Sequence, residues 1–242
     1  MNADSGRAKE APLKADPSAF SLHPSPSLPL LTIAVAKGRL QDDALRLLAC
    51  AGARASEAAL NSRRLAIVDE SGQYQFVFVK PADVPVYVEH GIADCGVVGR
   101  DVLLESEADL LQPLDLGIGR CRLVLAARAG TNRLRERGML RVATKYPRVT
   151  LAYFGARGVP VEIITLSGSV ELAPVLGLSD CIVDLVETGR TLAENGLSVV
   201  EEIAESTGRL VVNRASYQLK AERIAGLINA LNETLTGGAH CD

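Results

Sequence analysis

The sequence predicts an α/β fold, and three observations carry that reading. Short continuous apolar runs of Val, Ile, Leu and Ala recur along the chain, separated by segments of helical spacing, as expected of strands covered on both faces. Polar glycine-containing turns such as Lys37-Gly38-Arg39, Gly99-Arg100-Asp101 and Thr188-Gly189-Arg190 follow those runs directly, where a strand hands over to a helix. Of the 242 residues, 48% are apolar but only 4% are aromatic, and Trp is absent, which suits a helix-covered sheet better than a nucleic-acid platform of exposed rings.

Regular structure is expected from Leu31 onward. Before it, residues 1–29 mix charged residues and serine with Pro17, Pro24, Pro26 and Pro29, and read as a flexible extension. Residues 31–36 are a buried strand bounded by Pro29 and by Lys37-Gly38-Arg39. From Asp42, the spacing of Leu45, Leu47, Leu48 and Ala51 fits a helix closed by Gly52. Residues 76–79 read as a strand, and 81–91 as a helix whose start Pro85 confines or bends. A strand at 93–98 leads through Gly99-Arg100-Asp101 into a short helix. Further strands are expected at 122–127, 161–166, 180–186 and 210–213, and helices at about 148–156, 170–176, 190–195 and 216–235. The alternation indicates α/β layers but leaves open whether they form one sheet or two.

Charge and special residues narrow the function. A formal charge of −3 argues against a general polyanion-binding surface, so a phosphate site has to be a local concentration of positive charge. The five cysteines (Cys50, Cys95, Cys121, Cys181, Cys241) are scattered and odd in number, and read as free thiols in a reducing compartment. His23, His90 and His240 form no metal cluster. No apolar run is long enough for a membrane span, and the first residues lack the apolar core of a secretory signal, so the expected location is cytoplasmic.

The segment richest in chemistry runs from Asp180 to Leu192. An apolar strand delivers Asp184 and Glu187, and Thr188-Gly189-Arg190-Thr191 then turns into a helix. Gly189 lets the backbone approach a ligand closely. Free amides at the helix start favour a phosphate, and the hydroxyls of Thr188 and Thr191 add donors. Taken alone, the segment also fits an ordinary capped turn. Ser167-Gly168-Ser169 could present amides and hydroxyls in the same way, or Ser169 could simply cap the next helix, with Glu171 compensating its dipole.

Wider spacing decides between these readings. Glu171, Gly177, Ser179, Ile182, Asp184, Leu185, Thr188, Gly189, Thr191 and Leu192 follow E-x5-G-x-S-x2-I-x-D-L-x2-T-G-x-T-L. This resembles, position by position, the signature of the ATP phosphoribosyltransferases, which open histidine biosynthesis. The resemblance continues through 33–40 (IAVAKGRL), 81–89 (PADVPVYVE), 99–103 (GRDVL), 121–126 (CRLVLA), 142–147 (VATKYP), 167–174 (SGSVELAP) and 210–215 (LVVNRA). Lys80 stands where Arg is more usual in the family, so it receives no catalytic role. Asp184 is followed by Leu185 rather than a second acid, unlike the donor loop of purine and pyrimidine salvage enzymes.

The resemblance implies transfer of a phosphoribosyl group from 5-phosphoribosyl 1-diphosphate to N1 of ATP, with magnesium carried by substrate and no protein metal ligand assigned. It implies a two-lobed fold similar to type II periplasmic binding proteins, with the active site in the cleft. Residues 30–119 with 207–242 would form one lobe, and 120–206 the other. The Thr188–Thr191 loop would grip the sugar 5-phosphate, while Asp184 or Glu187 would stabilise the cationic sugar or hold its hydroxyls. Lys37, Gly38 and Arg39 would meet diphosphate or triphosphate oxygens, with Arg63 or Arg64, Arg100 and Arg122 as further cations and Ser167, Gly168 and Ser169 as further donors. A short form of the family is implied, working with a regulatory subunit resembling histidyl-tRNA synthetase in a hetero-octamer. A non-catalytic two-lobed binder of an anionic metabolite is the competing reading, and the complete Asp184–Thr191 loop weighs against it.

Overall fold

The computed structural model describes residues 30–60, 62, 64–128, 130 and 138–237. The extension at 1–29 therefore lies outside the described residues, as does Arg63. Two separate sheets are present. The first holds β1 (Leu31–Ala36), β2 (Ala66–Val68), β3 (Tyr74–Val79), β4 (Cys95–Gly99), β5 (Leu111–Asp115) and β11 (Gly208–Val212), in the order β2-β3-β1-β4-β11-β5. The second holds β6 (Cys121–Arg128), β7 (Leu140–Thr144), β8 (Val161–Thr165), β9 (Cys181–Val186) and β10 (Leu197–Ser206), in the order β10-β6-β9-β7-β8. This is the two-lobed architecture that the resemblance implied.

The apolar runs behave as their composition requires. In β1, Leu31, Ile33 and Val35 pack on one face with Leu48, Ile224 and Leu231, while Ala34 and Ala36 pack on the other with Val84 and Val88. Both faces are covered, so the strand needs no polar alternation. The first face is roofed by α1 (Gln41–Cys50) and α9 (Ala221–Thr236), the second by α3 (Val84–Glu89). In the second sheet, β6 likewise divides Leu123, Leu125 and Ala127 from Val124 and Ala126 between two cores.

Several expectations are corrected. Strands β2, β5, β7 and β10 were not anticipated, and a four-residue helix, α2 (Glu57–Leu60), precedes β2. The helix around Pro85 resolves into a 3-10 turn at Pro81–Asp83 followed by α3, with proline in the first turn, where its missing N–H costs nothing. The helix expected at 170–176 contracts to α6 (Leu172–Val175). The single C-terminal helix is two, α8 (Arg214–Leu219) and α9, broken at Lys220.

That break has a clear cause. Lys220 leaves helical geometry at φ −123° and ψ 34°, and its Nζ donates to the Leu30 carbonyl at 3.0 Å and to Asp94 Oδ2 at 2.7 Å. Asp94 is buried and also accepts from the Thr32 amide and the Ser216 hydroxyl, both at 2.8 Å. Asn213 caps α8 by accepting from the Ser216 amide, and its own amide group donates to the Val88 and Glu89 carbonyls. The C-terminal helices are thereby fastened to the starts of β1 and β4. Among the cysteines, Cys95, Cys121 and Cys181 are buried free thiols as expected, but Cys50 is disulfide-bonded, a correction to the reading of scattered free cysteines.

The sheets are joined by two crossing segments, β5 to β6 and β10 to β11. They run side by side: the Gly208 amide donates to the Ile118 carbonyl, the Leu116 amide to the Gly208 carbonyl, and Cys121 pairs with Ser206 at the start of β6. A second bridge comes from α4 (Arg100–Ser106), whose Glu105 carboxylate accepts from the Arg148 and Val149 amides at 2.9 and 3.1 Å. These amides open α5 (Pro147–Gly155) in the other sheet's half, so one half caps a helix of the other.

Replacing Lys220 with Met should strand the buried Asp94 carboxylate. The expected loss is about 3 kcal/mol, the low end for breaking such a pair because Lys220 stays partly solvated. Urea unfolding with an unchanged slope would measure it.

Candidate active site

The cleft between the two sheets is lined by the ends of β1, β7 and β9. One part of it, about 280 Å³, is bounded by Glu171, the continuous run from Asp184 to Leu192, Cys121 and, from the opposite half, Arg39. A neighbouring space of about 170 Å³ is lined by Ala36, Lys37, Leu40, Pro81, Gly99, Asp101, Val102 and Tyr146, and shares Arg39 and Leu185 with the first. Beyond Lys37, a third hollow of about 320 Å³ reaches Gln41, Ser62, Arg64 and Phe78. Shared walls at Arg39, Leu185 and Lys37 make these a connected groove.

The loop from β9 is built as its sequence demands. Asp184 lies within the strand and is buried, while Glu187 and Thr188 emerge exposed beyond its end. Gly189 turns the chain at φ +80°, a left-handed conformation that a side chain resists, and starts α7 (Arg190–Glu194). Because α7 is only five residues long, the donors it offers are the first-turn amides of Thr191 and Leu192 rather than a long aligned dipole, the Arg190 amide already donating to Thr188 Oγ1 at 3.4 Å. Thr191 is exposed beside them, and Arg190 turns along the helix to pair with Glu194 at 2.8 Å.

On the opposite wall, Gly38 turns at φ +93° after β1, carrying Lys37 and Arg39 out of the strand. Arg39 reaches the hinge: Nη1 donates to the Gly119 carbonyl, and Nη2 lies 3.3 Å from Cys121 Sγ. Gly119 permits that approach, since a Cβ there would sit 2.1 Å from Leu40 Cδ2. Burial pushes the Cys121 thiol up, with Arg39 opposing the shift.

Beneath the groove lies a buried polar group that sequence reasoning missed. Asp101 accepts from the Ser206 hydroxyl at 2.6 Å and from the Tyr146 hydroxyl at 3.0 Å, linking α4, the crossing strand and the β7–α5 loop. Burial, and after it the Asp101 charge, pushes the Tyr146 phenol far above its ordinary range, so it remains a donor. The motif 99–103 drew attention to Arg100. The clue to Asp101 was its acidic side chain next to Gly99, where a Cβ would meet Asp101 Oδ1 at 2.2 Å.

The remaining expected residues separate. Arg64 lines the third hollow, and Arg63 lies outside the described residues. Arg100 donates to the Glu205 carbonyl at 3.1 Å, and Arg122 pairs with Glu202 at 3.2 Å, so both brace β10 and its crossing segment and neither lines the three spaces. Ser167, Gly168 and Ser169 are exposed in the loop before α6. Ser169 adopts φ +48° and does not cap α6, whose N-cap is Glu171. Of that loop it is Glu171 that reaches the cavity wall.

Fold and groove together define a two-lobed protein with a polar, phosphate-sized cleft at its hinge. A family model described as ATP phosphoribosyltransferase matches residues 80–233. An ATP phosphoribosyltransferase of Caldanaerobacter subterraneus is 50% identical over 211 residues, covering 86% of this chain and 99% of that one. One from Sorangium cellulosum is 50% identical over 207 residues, covering 86% and 97%. Among solved structures, the ATP phosphoribosyl transferase (HisG:HisZ) complex from Thermotoga maritima matches with TM-score 0.75 and 41% identity, over 85% of this chain and 98% of that chain. The substrate binding protein of an amino acid ABC transporter matches with TM-score 0.56 at 11% identity, over 86% and 94%, a likeness of fold alone. The chain belongs to the ATP phosphoribosyltransferase family.

Burial raises the Asp184 carboxyl; the Leu185 amide, which donates to Oδ1 at 2.9 Å, and Lys145 oppose the shift, while Glu171 and Asp101 add to it. Between the ordinary aspartate range and the raised value, the folded protein holds a proton that the unfolded chain has lost. Stability gained from this group therefore increases as pH falls through that window. Asp184→Asn, which keeps the acceptor and removes the charge, should raise the melting midpoint at pH 7 by a few degrees, since about 1 kcal/mol moves a chain of this size by about 2–4 °C. The gap to the wild type should close as acid protonates Asp184, and differential scanning calorimetry across pH would follow it.

Proposed function

We propose that this chain joins ATP to 5-phosphoribosyl 1-diphosphate, releasing diphosphate and forming N1-(5-phosphoribosyl)-ATP, the first step of histidine biosynthesis. The observation that carries this reading is the Asp184–Leu192 wall facing Arg39 across the hinge, in a chain of this family. Thr188, Gly189, Arg190 and Thr191 receive the 5-phosphate with amides and hydroxyls, and Asp184 and Glu187 hold the ribose hydroxyls or the developing positive charge at C1. Lys37, Gly38 and Arg39 approach from the other wall to steady the leaving diphosphate and the triphosphate, with Arg64 further along the groove. Arg100, Arg122 and Ser167–Ser169 stay as more distant candidates, reachable only if the walls shift around bound substrates, and Arg63 stays a candidate outside the described residues.

Adenine N1 is itself the nucleophile, so no covalent enzyme intermediate is required. The protein's contribution is to orient two polyanions and to stabilise the departing diphosphate. Among the described residues, no group of three or more His, Cys, Asp and Glu side chains could hold a metal. Magnesium fits as a companion of the diphosphate, neutralising its charge, with Glu171, Asp184 and Glu187 near enough to the cavity to tolerate it.

The lobes proposed to close on these substrates are residues 30–119 with 207–242 and residues 120–206, and 1–29 is an extension outside them. The Thermotoga maritima complex supports a hetero-oligomer, and the partner proposed here is a regulatory subunit resembling histidyl-tRNA synthetase, in a hetero-octamer. No helix among the described residues is long and apolar enough to cross a membrane. A cytoplasmic setting suits the proposed reaction.

Mixing the chain with ATP, the sugar donor and magnesium, alone and with its regulatory subunit, should release diphosphate. Binding without turnover under both conditions would favour the non-catalytic binder. Thr188→Val and Thr191→Val should each weaken the donor by about 1.5–3 kcal/mol while sparing ATP, because a methyl replaces a hydroxyl donor to a charged phosphate. Titrating both substrates against each folded variant measures the difference.

A further inference from the structure

The wall proposed to receive a polyanion is itself short of positive charge. Three carboxylates (Glu171, Asp184, Glu187) line that space against two guanidinium groups, Arg39 and Arg190. Arg190 is already paired with Glu194, and Arg39 is turned to the hinge carbonyl of Gly119. A further cation belonging to the second sheet would correct the imbalance, and the strand register points to one.

β7 and β9 run parallel, with Val142 beside Cys181, Ala143 beside Ile182 and Thr144 beside Val183. The Thr144 hydroxyl donates to the Val183 carbonyl at 2.7 Å, pinning the two strand ends together at the cleft. β9 continues to Asp184, and Lys145 is the first residue after β7, so the chain leaves the end of that pinned pair at Lys145 just where β9 reaches Asp184. Lys145 is exposed and has no ion pair among the described residues. It directly precedes Tyr146, which lines the adjoining space.

We propose that Lys145 supplies the second sheet's free cation to the cleft, meeting an anionic oxygen of the phosphoribosyl donor beside Asp184. The proposal rests on the transferase reading above. Lys145 partly offsets the burial that raises the Asp184 carboxyl. The groups facing Asp184 are Lys145 after β7, Glu171 before α6, Asp101 and Tyr146 beneath, and Glu187, Arg39 and Cys121 around the cavity. Lys145 is the cation in that set with no partner among the described residues.

The test compares Lys145→Met and Lys145→Arg with the wild type, together with its regulatory subunit, by steady-state kinetics from about pH 5 to about pH 8.5 (roughly the span above the ordinary carboxylate values, where a raised carboxyl loses its proton) and by calorimetric titration with the donor and magnesium. The expected result for Lys145→Met is a donor KM and Kd raised roughly tenfold, an ATP KM within about twofold, and an acid limb of kcat/KM for the donor moved to higher pH. Lys145→Arg should restore most of the affinity. An unchanged donor KM and acid limb in a folded Lys145→Met would overturn the proposal. So would equal losses for both substrates with a lowered melting midpoint, because that pattern marks a structural role. If the wild type binds the donor in a Lys145-dependent way yet never releases diphosphate, the transferase reading fails and the Lys145 site stands.

Discussion

The cleft depends on a single constraint, the pairing of the two segments that cross between the sheets. Gly208 and Ile118 are hydrogen-bonded, Cys121 and Ser206 are in register, and the Ser206 hydroxyl is held by the buried Asp101 carboxylate. Asp101 also takes the Tyr146 hydroxyl from the opposite half. A buried carboxylate is costly unless its oxygens are satisfied, and here both satisfying hydroxyls come from the second sheet's half, across from the helix that carries Asp101. Relative placement of the halves is therefore tied to the solvation of one side chain. Arg39 enters the same knot through the Gly119 carbonyl, so a residue that faces the cleft also reads the geometry of the hinge.

Around that hinge the site is arranged against local stability. Asp184 is buried close to Glu171 and Asp101, and the Leu185 amide offsets its desolvation only in part. Gly189 and Gly38 hold left-handed turns on opposite walls, placing short polar loops at the ends of rigid strands. Such preorganisation lowers the reorganisation needed when charge develops in a transferring sugar and its leaving diphosphate. By contrast, the far end of the first sheet is fully satisfied: Asp94 binds Lys220, Ser216 and the Thr32 amide, and locks the last helices onto the first strand.

Strands buried on both faces were legible because their residues are nearly all apolar, as in 31–36, where only Thr32 is polar, and 181–186, where only Asp184 is charged. The missed strands each carry a feature that hides them. β5 contains Pro113 and lies at a sheet edge, where the lost N–H needs no partner. β10 contains Glu201, Glu202 and Glu205, and is also an edge, with each acid paired to an arginine: Arg157, Arg122 and Arg120 respectively. In β7, Arg141 and Thr144 break the apolar run, although Thr144 is wholly buried on the Val183 carbonyl. The C-terminal helix read as continuous because Lys220 is an ordinary helix former. Only its distant partners, Leu30 and Asp94, explain the break.

By itself, the sequence determined the layer class, the family and the phosphate-type loop, because these rest on local spacing: apolar runs, a glycine that must turn, and hydroxyls and acids at fixed intervals. Tertiary structure alone decided which charges share the cleft. It brought Arg39 across to the Asp184 wall, set Arg100 and Arg122 against β10, and joined Asp101 to the Tyr146 hydroxyl. The reason is physical. A side chain's role in a cleft depends on strand register and on the crossing of two segments far apart in the chain, and neither leaves a periodic mark in the residues themselves.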